Sequence, residues 1–284
     1  MLLHLDCIPC FQRQAIQAAR FSGADEDTQA RVLKRAMSIL QKEDWRTTPP
    51  ELADLIHSMV RKETGDNDPY SDAKKTSNRQ ALDLLKHARA NISRSRNPLE
   101  TAIRVAIAGN IMDFAQGASF DLKGTMETAL KKHLAINSVE RLRNRLSNAK
   151  TLVYITDNAG EIVFDRLLVE TILESFPIRE VSLAVKGSPI LNDAMEEDAR
   201  EAGFSKIPAV TIHHVMGGGE GPGMERTGDE FRDFMAGHDV VISKGQGNYE
   251  ALSDRENIFF LLMAKCPVLA ADLNVSVGDI ICKG

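Results

Sequence analysis

Cysteine is scarce in this 284-residue chain. Its four copies, Cys7, Cys10, Cys266 and Cys282, do not make a disulfide framework, so a reducing, cytoplasmic setting is expected. Basic charge is also short: 35 Lys and Arg stand against 40 Asp and Glu, for a net charge of −5. No global positive field exists to hold nucleic acid or an anionic membrane, and neither is expected as a partner. No apolar run approaches the ~18 residues that a membrane span needs. The opening Met-Leu-Leu-His-Leu-Asp-Cys lacks the basic region and long apolar stretch of a secretion signal. What is present, 43% hydrophobic and 26% charged residues, is the make-up of a globular protein with a sizeable core. The length suits one large domain or two ordinary ones.

The texture of the chain changes near residue 150. Before it, apolar residues recur with helical period, as at Val32, Leu33, Ala36, Met37 and Leu40 between Asp25 and Glu43. Pro49 and Pro50 open a further helix, because a first turn does not need the missing N–H. Arg79–Ile92 and Pro98–Phe114 repeat the pattern, two shorter helices are expected between Leu122 and Leu146, and no strand is expected in this half. After Lys150, five runs rich in β-branched residues read as strands: Thr151–Thr156, Val181–Lys186, Val210–Val215, Val240–Lys244 and Pro267–Ala271. Helical patterns separate them at Glu161–Ser175, Ile190–Ala202, Gly228–Met235 and Glu250–Ala264. The runs are apolar at nearly every position, as in strands buried on both faces. The expected fold is therefore α/β: a Rossmann-like open, mainly parallel sheet with helices on both faces, occupying 150–284, preceded by an all-helical domain over 1–149.

In such sheets ligands bind beyond the carboxyl ends of the strands. The first expected strand runs into Asp157-Asn158-Ala159-Gly160-Glu161, where Asp157 and Asn158 offer oxygens to a hard divalent cation. Gly160 allows a tight turn at a helix start, where free N–H groups favour phosphate. Asp and Asn are equally the preferred helix caps, and taken alone the cap is the stronger reading. The second ends in Lys186-Gly187, with Asn192-Asp193 soon after; Asp193 is either a third oxygen ligand or a favourable charge in a first helical turn. The fourth ends in Lys244-Gly245-Gln246-Gly247-Asn248-Tyr249-Glu250, a lysine beside a row of backbone amides that lacks Walker A spacing. Three strand ends with complementary chemistry are less accidental than one. Their sum is a metal beside an anion site the size of a phosphate.

Other motifs are weaker. Gly217-Gly218-Gly219-Glu220-Gly221-Pro222-Gly223 reads as a covering loop or a plain linker rather than a dinucleotide fingerprint. Asn110 and Asp113 share one face of an apolar helix, either in a cleft between the domains or against neighbouring backbone. Cys7 and Cys10 form a C-x-x-C without the second pair of a zinc site. His213 and His214, adjacent in a strand, face opposite ways.

These segments together resemble the damage-control phosphatase family, formerly a domain of unknown function, and most closely its prokaryotic branch with an N-terminal C-x-x-C. The matching residues are Cys7-Ile8-Pro9-Cys10, Asp68-Pro69-Tyr70 with Asn78, Gly109-Asn110-Ile111-Met112-Asp113, and the three strand ends just described. The resemblance implies a helical domain packed on a Rossmann-like one. It implies a divalent metal (Mn²⁺, Ni²⁺, Co²⁺ or Mg²⁺) on Asp157, Asn158 and Asp193, with Lys244 assisting the phosphate. The implied activity is hydrolysis of phosphomonoesters of small metabolites, such as sugar phosphates or damaged phosphometabolites. In the mechanism expected here, a metal-activated water attacks while Lys244 and the amides of Gly160, Glu161 and Gly245 stabilise the phosphoryl oxygens; Glu161 orients the water, and Asn110 and Asp113 join the substrate site. Asp157 as a covalent nucleophile is the competing route. The rival functions are a non-catalytic metal or phosphometabolite binder and a nucleoside-cofactor methyltransferase. Lys186-Gly187, where an acidic residue should end the second strand, does not fit the latter.

Overall fold

The computed structural model describes residues 1–109, 122–216 and 221–284. The first helices form where the sequence marks their ends. The Asp25 carboxylate accepts the Thr28 N–H at 2.8 Å and caps α2 (Glu26–Lys42). Thr48 and Glu51 make a capping box for α3 (Pro49–Thr64), which Gly65 closes at φ 71°. The apolar stripes of α1 (Cys7–Phe21), α2 and α3 meet in a cluster of their own around Ala15, Val32, Ala36 and Ile56. Full burial of each larger aliphatic side chain there contributes about 1.5–3 kcal/mol.

Seven strands among the described residues form one sheet: β1 (Leu134–Asn137), β2 (Thr151–Ile155), β3 (Glu180–Lys186), β4 (Val210–Val215), β5 (Val240–Lys244), β6 (Ile258–Met263) and β7 (Ile280–Lys283). Their order is β1-β7-β6-β5-β2-β3-β4. The strands from β6 to β4 are parallel, whereas β7 runs antiparallel to β6 and carries β1 alongside it. Alternation along the strands splits the core into two layers. Leu152, Tyr154, Val240 and Ile242 face α4 (Ser71–Ser93), α5 (Pro98–Ala108) and α8 (Glu161–Ser175). Val153, Ile155 and Val241 face α10 (Asp229–Ala236), α11 (Gln246–Leu252) and α12 (Pro267–Leu273). Because α8 lies between the sheet and α4–α5, it is apolar almost all round.

The expected α/β architecture is thus present, and so are β2 to β5. Four local expectations are corrected. Residues 258–263, assigned to a helix, are β6: a short continuous apolar run fits either state, and here it pairs with β5 and β7. Residues 267–271, assigned to a strand, begin α12, with Pro267 in its first turn and the Cys266 sulfur accepting the Leu269 N–H. A strand, β1, lies before residue 150, between α6 (Leu122–Lys131) and α7 (Val139–Leu146). Finally, α9 (Glu196–Ala202) starts six residues later than the expected Ile190, leaving Asp193 in the preceding loop. Asn110 and Asp113, and residues 217–220 of the glycine-rich stretch, lie outside the described residues.

Candidate active site

The chain turns from one side of the sheet to the other between β2 and β5, neighbours in the sheet with the site's loops at their carboxyl ends. Pairing of β2 with β3 continues past the strand through Thr156, whose N–H and hydroxyl both donate to the Ala184 carbonyl, at 3.0 and 2.9 Å. The two following loops are then joined backbone to backbone. The Ala194 N–H donates to the Asp157 carbonyl at 2.8 Å and the Ala159 N–H to the Asn192 carbonyl at 2.9 Å. An antiparallel bridge between Asn158 and Asp193 results. Main-chain bonds therefore bring together Asp157, Asn158 and Asp193, the three expected cation ligands. The Asn158 amide also donates to Asp157 Oδ2 at 3.0 Å.

Gly245 closes this corner from β5. Its φ of 82° and ψ of 166° belong to a region used almost only by glycine, and any Cβ there would run into the Asp157 carboxylate. Asn248 fixes the same junction by donating to the carbonyls of Thr156 and Lys244, both at 2.8 Å. Gly160, at φ 79°, gives its N–H to Asn78 Oδ1 at 2.6 Å. The Asn78 amide donates in turn to Asp198 and Glu201, each at 2.8 Å. The Gly245 N–H bonds the Leu261 carbonyl at 3.1 Å. Both amides are thus committed within the protein. The expectation that Gly160 and Gly245 present N–H groups to a phosphate is corrected accordingly.

Lys244 and Glu161 lie beneath the corner, not on its surface. Alternation from Val240 and Ile242 sends Lys244 to the α5–α8 side of the sheet. There its ammonium donates to Asp165 Oδ1 at 2.5 Å, Glu161 Oε1 at 2.7 Å and the Ala106 carbonyl at 2.9 Å. Tyr154 donates to the same Asp165 oxygen at 2.8 Å. Exposure of Lys244 and Asp165 is 0% and that of Glu161 is 1%, so the group is closed to any ligand of the size of phosphate. Burial pushes the Glu161 carboxyl up to about 7, with Lys244 opposing and Asp165 reinforcing. Burial likewise raises Asp165 against the pull of Lys244. Glu161 also reaches toward the Asn158 N–H, at 3.4 Å. The placement corrects Lys244 as a direct phosphate contact: its three protons already have acceptors.

Above the corner is a cavity of about 510 Å³ between α1, α3, the β2–α8 and β3–α9 loops, α11 and the start of α12. Asp157, Asn158 and Asp193 line it, as do Asp54, Arg226 and Glu250. The Arg226 guanidinium is paired with Asp54 at 3.2 Å. At the end of β3, Lys186 is 5% exposed, with Nζ 3.5 Å from Asp193 Oδ2. Burial pushes the Lys186 pKa down, Arg226 adds to this, and Asp193, Asp54 and Asp157 oppose it. These two cations went unassigned in the sequence; the available signal was a lysine ending a buried strand. Cys7 and Cys10 also line the cavity, together with Cys266. His213 and His214 do not: one packs on Phe234 and the other bonds Glu196 at 2.9 Å. Among the described residues, no three His, Cys, Asp or Glu side chains form a metal-holding group. The donor set at the corner is two carboxylates and one amide, which suits a hard cation that keeps part of its water shell.

The sequence profile of the Damage-control phosphatase ARMT1-like domain matches residues 3–281. The chain belongs to this family. A damage-control phosphatase of Pyrococcus horikoshii is 34% identical over 99% of this chain and 98% of its own length. One from Archaeoglobus fulgidus is 35% identical over 98% and 97%. The crystal structure of a DUF89 family protein from Pyrococcus horikoshii superimposes with a TM-score of 0.86 at 33% identity, covering 99% of this chain and 98% of that one. Membership of the damage-control phosphatase family supports a phosphatase role for the chain. Among the described residues, no helix is long and apolar enough to cross a membrane.

Proposed function

We propose that the protein is a divalent-metal-dependent phosphatase that hydrolyses phosphomonoesters of small metabolites, sugar phosphates or damaged phosphometabolites, in this cavity. The observation that carries the reading is the backbone bridge that sets Asp157 and Asn158 beside Asp193 at the turning point of the sheet. Asp157, Asn158 and Asp193 would hold the cation, Mn²⁺, Ni²⁺, Co²⁺ or Mg²⁺, whose contribution is Lewis acidity toward the phosphoryl group and water. Gly245 leaves room for the Asp157 carboxylate, and Asn248 and Asn78 fix the two turns on which the ligands stand. Glu161 and Lys244 act from below as positioning groups. Their buried pair braces the first turn of α8, and Glu161 meets the Asn158 N–H.

The test is phosphate release from p-nitrophenyl phosphate and a sugar-phosphate panel with each cation, repeated after chelation and in Asp157→Ala. Release that needs the cation and falls at least about 100-fold in the variant is expected, since even outer partners of a metal site change activity about 10–100-fold. Equal release with a chelator present overturns metal dependence. Cation and phosphate binding without turnover on the whole panel identifies a binding protein instead.

A further inference from the structure

We infer that Arg226, backed by the buried ammonium of Lys186, forms the anion-receiving wall of the cavity, and that the wall becomes receptive only when the Asp157–Asn158–Asp193 corner carries its cation. The inference rests on the proposed cation site and names the residue that meets the phosphate end of the substrate and the charge that supports it. The ligand class is a phosphomonoester dianion, or inorganic phosphate as product.

Three observations place the wall. Arg226 lines the main cavity with the corner residues, and it shares a small recess behind the corner with Lys186, Thr156 and Asn248. Its guanidinium is held by Asp54 from α3, so one pair spans from the helical layer to the sheet edge. Lys186 follows the alternation of Ser182 and Ala184, which sends it to the α10–α11 side of the sheet, away from Lys244. Among the described residues its ion pair is with Asp193, at 3.5 Å, itself a proposed ligand, whereas Lys244 is held by Asp165, Glu161 and the Ala106 carbonyl. A planar guanidinium and an ammonium beside each other are the donors that phosphate recognition uses.

The dependence on the cation follows from charge. Around the corner Asp54, Asp157 and Asp193 face Arg226, with Lys186 buried behind it, and without a cation this side of the cavity repels an anion. A divalent ion there would offset Asp157 and Asp193 together, leaving Arg226 and Lys186 opposed by Asp54. Anion binding and cation binding must therefore favour each other, and by linkage to the same extent.

Calorimetric titration of the full chain with inorganic phosphate, with and without saturating Mg²⁺ or Mn²⁺, tests this without using turnover. Phosphate is expected to bind at least about 10-fold more tightly with the cation present. Arg226→Gln and Lys186→Met should each weaken that binding about 10-fold or more while still taking up the cation and keeping their circular dichroism. Asp54→Asn, which keeps the guanidinium and removes the carboxylate that opposes the anion, guards against misfolding: it should bind phosphate at least as tightly as the wild type. Phosphate affinity that is equal with and without the cation, or unchanged in Arg226→Gln and Lys186→Met, overturns the inference, as does a wild-type protein that binds no phosphate. Turnover of phosphomonoesters alongside unchanged phosphate affinity in the variants overturns the wall but leaves the phosphatase reading standing. Coupled binding without turnover does the reverse.

Discussion

Lys244 and Lys186 each end a parallel strand, and each is nearly removed from water, at 0% and 5% exposure. Their environments nevertheless push them in opposite directions. Burial works against both ammonium groups. For Lys244, Asp165 and Glu161 outweigh it and the pKa rises; for Lys186, Arg226 sides with burial and the pKa falls. One lysine is a closed structural charge, locked among short bonds under α8. The other stands with Arg226 near an open cavity. The lesson is that burial of a charge does not reveal its role, whereas the direction of the strand's alternation and the identity of its neighbours do.

The contrast breaks most sharply at Lys244. Lys244→Met leaves two buried carboxylates sharing no cation, and unfolding in denaturant should show a loss of about 3–5 kcal/mol. A variant of unchanged stability would deny that the cluster is structural. Next comes Gly245→Ala, which pits a strained backbone and the Asp157 carboxylate against one methyl group. A cost of roughly 1–3 kcal/mol is expected, together with weaker cation uptake measured by calorimetry. Glu250 sharpens the comparison on the cavity side. Burial, against a bond from Gln246, raises its pKa from 4.5 to about 7. The folded state thus binds the extra proton, so this group lowers stability as pH rises from about 4.5 through 7. Glu250→Gln should flatten that decline by on the order of 1–3 kcal/mol across the window, measured as the pH dependence of unfolding. An unaltered slope would place the titration elsewhere. The smallest effect is expected for Tyr154→Phe. It removes one hydroxyl from Asp165, at about 1 kcal/mol, and should leave phosphate affinity untouched.

Much of this architecture was readable beforehand. The β-branched runs of β2 to β5 and the helix between Glu161 and Ser175 carried unambiguous periods, and their alternation forced a mostly parallel sheet. Ile258–Met263 did not, because six consecutive apolar residues satisfy a buried strand and a buried helix equally. Pro267 marks the next element: a proline there starts a helix more readily than it sits within a paired strand. At the candidate site, Asp157 and Asn158 just after β2 and Asp193 in the loop after β3 were legible as polar residues on the carboxyl side of the sheet. Lys244 also ends a strand, but its parity with Val240 and Ile242 turns it beneath the sheet, away from the cavity. Arg226 carried no motif at all, since its partner Asp54 lies 172 residues away.

The sequence by itself determined which segments became strands and helices over most of the chain, and at which ends of the strands polar groups would gather. Local period, turn chemistry and capping act over a few residues and need no distant partner. Only the tertiary structure decided which of those polar groups meet. The bridge between Asn158 and Asp193, the Gly245 notch for Asp157, and the pairing of Arg226 with Asp54 each join residues from separate elements. Whether a charge becomes an internal brace or stands beside a cavity depends on those long-range contacts, because they fix its dielectric surroundings and its counter-charges.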